Sequence, residues 1–190
     1  MPEVQEDRRL LSLINKCKKN DRKAQKILYK HFFPYAMSIS LRYSQYEAEA
    51  EEILNDAFLK VFTRLDQYNI KQSFKGWLRR IVINTAIDLY RKELRHYHHM
   101  DVIELEEEQM QENVIDQLSA QEIQAMISEL PPAYRLVFNL YAVEGYNHQE
   151  IASMLDISEG TSKSNLFKAR AKLQKKMQRI DQSHYGRKGI

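Results

Sequence analysis

One cysteine, five glycines and four prolines are all that 190 residues contain of those three types. The single thiol, Cys17, cannot close an internal disulfide, which suits a reducing compartment. So few glycines and prolines speak against an all-β chain with its many tight turns. No apolar run approaches the roughly 18 residues of a membrane helix. The opening residues, MPEVQEDRR, lack the apolar core of a secretion signal. A soluble, cytoplasmic protein is expected. There is no glycine-rich phosphate loop and no metal-ligand pair at useful spacing. His96, His98 and His99 stand together, but near-adjacent histidines with one distant cysteine make a weak ligand set. The expectation is therefore a non-enzyme with no catalytic residue, no metal, no cofactor and no small-molecule substrate.

The longest absence is of positive charge. Residues 97–134 hold 9 acids and not one lysine or arginine, a net of −9. The blocks on either side have the opposite balance. Residues 1–96 carry 19 Lys/Arg against 12 Asp/Glu, and residues 135–190 carry 10 against 5. Two basic blocks around an acidic one point toward nucleic-acid contact, although solvated helix surfaces produce the same partition. The divisions expected are a helical domain over 1–96, an acidic linker over 97–118, a second helical domain over 119–180 and a basic tail over 181–190.

What remains is helical periodicity. Leu10, Ile14 and Cys17 share one face of a short helix. Asp21 caps a second that carries Ala24, Leu28 and Phe32, and Pro34 is expected to bend or break it. Ser44-Gln-Tyr-Glu47 reads as a capping box for a long helix striped with Ala50, Ile53, Ala57, Val61 and Leu65. After the turn-rich DQYNIKQS, Ser73 starts a helix with Phe74, Trp77, Leu78, Ile81, Thr85 and Leu89 inward. Arg80, Asn84, Asp88, Arg91 and Arg95 share another face of it, which is either functional or simply solvated. Ser119-Ala-Gln-Glu122 is a further capping box, opening a helix with Ile123, Met126, Ile127 and Leu130 inward. Pro131-Pro132 ends that helix and pre-sets the next, whose end Gly145 fits. The fold class expected is all-α, as two small helical domains.

From Asn147-His-Gln-Glu150 a short helix presents Ile151, Ala152 and Leu155. Asp156-Ile157-Ser158 makes a tight turn, and Ser158 caps a longer basic helix from about Glu159 to Met177 with Leu166, Ala169 and Leu173 inward. This is helix-turn-helix spacing. The outer face of the second helix is Thr161, Lys163, Ser164, Asn165, Phe167, Lys168, Arg170 and Lys172. Hydroxyls, an amide and cations at the start of such a helix can meet base edges in the major groove, while later cations neutralise phosphates.

The stretch EIASMLDISEGTSKSNLFKARAKL resembles region 4 of bacterial sigma factors, which reads the −35 promoter element. ILNDAFLKVFTRLDQY with SFKGWLRRIVINTAIDLYRK resembles region 2, which grips the polymerase clamp and opens the −10 element. With neither region 1.1 nor a full region 3, the chain is most similar to the small extracytoplasmic-function subfamily. The resemblance implies a promoter-specificity subunit with core RNA polymerase, promoter DNA and an anti-sigma factor as partners. It implies clamp contact through Asp56, Leu59 and Lys60. It implies −10 recognition and melting around Tyr68, Asn69, Lys71, Ser73, Phe74, Trp77, Arg80, Asn84 and Arg91. Ser164, Phe167 and Lys168 fall where the family reads −35 bases. Two positions depart from the family pattern: serine stands at 162 where valine is more frequent, and asparagine at 165 where arginine is. The alternative is a stand-alone helix-turn-helix regulator, which would need residues 1–96 to supply dimerisation or ligand binding.

Overall fold

The computed structural model describes residues 2–97 and 120–185, and every regular element among them is helical. In chain order they are α1 (Pro2–Lys18), α2 (Arg22–Tyr43), α3 (Glu47–Arg64), α4 (Phe74–Tyr97), α5 (Ala120–Ser128), α6 (Pro132–Phe138), α7 (His148–Leu155) and α8 (Glu159–Tyr185). A 3-10 turn, Leu65–Gln67, follows α3, and a π-helical turn, Asn139–Val143, continues α6. The chain forms two compact units, Met1–Leu89 and Tyr90–Ile190, which part inside α4. The acidic stretch 98–118 and the Ser119 capping box lie outside the described residues, as do His98 and His99 and the side chains of Arg95 and His96. No helix among the described residues is long and apolar enough to cross a membrane.

The first unit is built by three amphipathic stripes closing on one another. α2 contributes Leu28, Phe32, Ala36 and Ile39, α3 contributes Ala50, Ile53, Ala57 and Val61, and α4 contributes Phe74, Leu78 and Val82, all buried. Spacings of three and four put each set on one face of its helix. Ile14 and Cys17 seal the unit from α1. Desolvation, with the Asp21 charge adding to it, pushes the Cys17 thiol up to about 11. Asn20 takes the left-handed conformation that ends α1 (φ 59°), and Asp21 then accepts from the N–H groups of Lys23 and Ala24 at 2.9 and 3.1 Å.

Two local expectations fail here. Of the bend or break expected at Pro34, the break does not occur: α2 runs through it to Tyr43. The buried residues on both sides, Phe32 before and Ala36 and Ile39 after, are held in one core, and that packing outweighs one lost backbone hydrogen bond. Ser44 does not cap the start of α3 either. It is buried behind α2, and α3 opens after Tyr46, whose side chain makes no capping bond. The carboxylate of Glu49 instead accepts from the N–H of Gln45 at 2.6 Å.

In the second unit Met126 and Ile127 of α5, with Leu130 just beyond it, pack with Ala169 and Leu173 of α8, flanked by Tyr134, Phe138 and Met177. Ile123, expected inside, is exposed. Pro131 and Pro132 set the start of α6, as their fixed φ predicts. Gly145 adopts φ +80°, and the N–H of Tyr146 reaches back to the Leu140 carbonyl at 3.0 Å, closing this segment. Nothing in the sequence pattern marked Arg135, yet it is among the most buried side chains. Its guanidinium donates to the carbonyls of Ser128 (2.6 Å) and Leu130 (3.3 Å), satisfying groups that the end of α5 leaves open.

Candidate nucleic-acid interface

The helix-turn-helix assembles from local chemistry. Asn147 accepts from the Glu150 N–H at 2.9 Å, and Glu150 accepts from the Asn147 N–H at 2.8 Å, a complete capping box for α7. Asp156 enters the left-handed region (φ 56°), and the N–H of Ile157 closes on the Ala152 carbonyl at 3.1 Å. Ser158 then accepts from the Thr161 N–H at 2.9 Å and starts α8. Ser162, Leu166, Ala169 and Leu173 turn inward.

The opposite face holds the residues expected to read DNA. Thr161, Lys163, Ser164, Phe167 and Arg170 are exposed, and Asn165, Lys168 and Lys172 are half-buried on the flanks. Lys163 is paired with Glu159 at 2.8 Å, and the same hydrogen bond and charge hold the Glu159 carboxyl below its ordinary range. Further along the helix, Lys176 forms an ion pair with Glu129, in the turn that follows α5.

Behind this face lie residues that sequence reasoning missed. The buried Ser162 hydroxyl meets His148 Nδ1 at 3.0 Å. The His148 ring stacks on Tyr141, with centroids 4.7 Å apart and planes 23° apart. The Arg170 guanidinium lies over the Tyr141 ring at 5.7 Å. The departure from valine at 162 was the one signal in the sequence that a polar partner waited there.

In the first unit the expected −10 residues divide. Tyr68 and Phe74 are 7% and 3% exposed and form the core's aromatic corner with the half-buried Trp77. The Tyr68 hydroxyl donates to the Gln72 carbonyl at 2.6 Å and so shapes the connection from inside. Asn69, Lys71 and Ser73 are exposed along that connection, with Ile70, which was not foreseen, 63% exposed beside them. Asn69 accepts from the Lys71 N–H at 3.0 Å, and Ser73 accepts from the Gly76 N–H at 3.4 Å to begin α4. Arg80 and Asn84 are exposed on one face of α4. Arg91, in the second unit, is half-buried and donates to the Met154 carbonyl. Of the expected clamp residues, Asp56 and Leu59 are exposed on α3, Leu59 at 64% despite being apolar. Lys60 is paired with Asp88 at 2.9 Å.

The family described as Sigma-70 region 2 matches residues 28–96, and Sigma-70 region 4 matches residues 120–173. Together they take in well over half the chain. The chain is 26% identical over 178 residues to the ECF RNA polymerase sigma-E factor of Escherichia coli (strain K12), covering 87% of this chain and 93% of that one. It is 27% identical over 140 residues to the ECF RNA polymerase sigma factor SigE of Mycolicibacterium smegmatis, covering 71% of this chain and 54% of that one. Among solved structures, the sigma factor RpoE bound to the anti-sigma factor NepR from Bartonella quintana aligns at 22% identity with a TM-score of 0.49, over 80% of this chain and 96% of that one.

Proposed function

We propose, for a chain that belongs to the sigma-70 family of RNA polymerase sigma factors, that it is an extracytoplasmic-function sigma factor directing core RNA polymerase to the promoters of a regulon. The observation that carries this is the presence of both modules in order, region 2 over α2–α4 and region 4 over α5–α8. The chain performs no catalysis of its own and works in the cytoplasm, where polymerase and promoter are.

Physical roles follow from exposure. The exposed Leu59 beside Asp56 offers an apolar and a charged contact on α3 to the clamp of polymerase's largest subunit. Asn69, Lys71 and Ser73 offer an amide, a cation and a hydroxyl to an unpaired −10 base, on a connection stiffened by the buried Tyr68 and Phe74 and the half-buried Trp77. Arg80 and Asn84 continue that surface along α4. Thr161, Ser164, Asn165, Phe167 and Lys168 approach −35 base edges, while Lys163, Arg170 and Lys172 serve the phosphates. An anti-sigma factor that covers these surfaces would keep the protein silent until a signal releases it.

The test is run-off transcription with purified core polymerase on genomic promoter fragments, together with gel filtration of chain and core. Discrete transcripts and co-elution are expected. Failure of the full-length chain to bind core would sink this reading, and promoter binding without core would replace it with a stand-alone regulator.

A further inference from the structure

The Tyr141–His148–Ser162 group, which lies against Arg170, is unused by the reading above. Its members come from three different elements: the π-helical turn, α7 and α8. A π turn carries an extra residue per turn, so it changes the angular register of the side chains that follow. Here it delivers Tyr141 to the stack with His148. His148 is itself fixed through Nδ1 by the fully buried Ser162, so the ring that supports Tyr141 is anchored inside the unit. Tyr141 remains 36% exposed, and the Arg170 guanidinium lies over it.

An arginine on an exposed helix face samples many rotamers, and ordering it on DNA opposes binding. A guanidinium that stacks flat on a ring makes the cation–π attraction through its face. Its N–H donors project at the edge, where a phosphate can take two of them in parallel. Resting on Tyr141 therefore restricts the side chain without consuming the donors it needs.

We infer that Tyr141, supported by His148 and through it by Ser162, is a positioning residue that holds Arg170 ready for the phosphate backbone of the −35 element. The inference rests on the sigma-factor reading and adds to it residues outside the recognition face. Tyr141 acts through Arg170, so once Arg170 is removed the loss of Tyr141 has no further effect.

The experiment uses the full chain assembled with core polymerase and measures promoter affinity across a salt series. The variants are Tyr141→Leu, Tyr141→Phe, Arg170→Ala and the double Tyr141→Leu/Arg170→Ala, with thermal unfolding of each free chain alongside. Tyr141→Leu is expected to weaken binding about two- to five-fold, the worth of one exposed cation–π contact. Tyr141→Phe keeps the ring and restores wild-type affinity. The double variant is no weaker than Arg170→Ala alone, whose salt slope falls by about 1. Additive losses in the double variant, or wild-type affinity for Tyr141→Leu, overturn the inference while leaving the sigma reading intact. Absence of promoter binding by the wild-type holoenzyme defeats the sigma reading itself. Should Tyr141→Leu fail to fold, proton NMR of the free wild-type chain decides: Arg170 side-chain protons shifted upfield by a ring current support the inference, and unshifted protons refute it.

Discussion

Replacing Asn147 by alanine should lower the stability of the second unit alone, by an amount its capping geometry fixes. The variant removes the oxygen that accepts from the Glu150 N–H at 2.9 Å. The reciprocal bond, from the backbone N–H of residue 147 to the Glu150 carboxylate, does not depend on the side chain at 147 and can persist. Half of the capping box is therefore lost, at about 1 kcal/mol for a typical N-cap. α7 is only 8 residues long and has no independent stability, so the loss falls on the tertiary structure that holds it. For a domain of this size, 1 kcal/mol moves Tm by about 4–8 °C. The single tryptophan, Trp77, lies in the first unit, so its fluorescence follows that unit while far-UV circular dichroism follows both. Asn147→Ala should shift the second unit's transition in the dichroism and leave the fluorescence transition in place. Asn147→Asp, which keeps an acceptor and adds favourable charge at a helix N-terminus, should restore it. An unmoved transition in Asn147→Ala, or an Asn147→Asp protein melting as low as the alanine variant, refutes the argument.

Ser164→Ala and Lys168→Ala should change which −35 sequences are preferred, each lost base contact costing about 1–3 kcal/mol on its best site. Lys172→Ala should weaken all sites alike and flatten the salt dependence, and identical profiles for the three variants across a −35 library would erase the distinction. Arg80→Ala and Asn84→Ala alter exposed α4 side chains, so permanganate reactivity of −10 thymines should fall while Tm stays put; a loss of Tm instead would make them structural. Cys17 should resist thiol reagents at pH 8 until the first unit unfolds, because burial holds the thiol neutral. With the folded pKa raised from 9.0 to about 11, this group's contribution to stability is complete below pH 9 and lost as pH rises to about 11; a Cys17→Ala protein with the same alkaline decline would deny it.

The sequence by itself determined the features whose causes lie within a few residues of one another. Asp21, Ser73, Asn147 and Ser158 were legible as caps because each bonds a backbone N–H two or three positions ahead. Gly145 was legible because a helix end there needs positive φ, and the recognition face was legible because helical spacing fixes which side chains share it. Tertiary structure decided whatever depends on the distance between segments far apart in the chain. The resemblance placed Tyr68 and Phe74 among the −10 residues, but the meeting of α2 with α4, where Phe32 packs on Phe74 with centroids 4.8 Å apart, makes them the scaffold of that connection. The same packing carried α2 through Pro34, against the local preference for a break. Arg135 carried no mark in the sequence, and its burial depends on the carbonyls that the end of α5 brings for it to satisfy. Ser162 read as a deviation from valine until α7 laid His148 against it, and no local rule joins Tyr141 to Arg170. A helix's own hydrogen bonds are written in short sequence separations, whereas a side chain's environment is set by whichever distant element the core brings alongside.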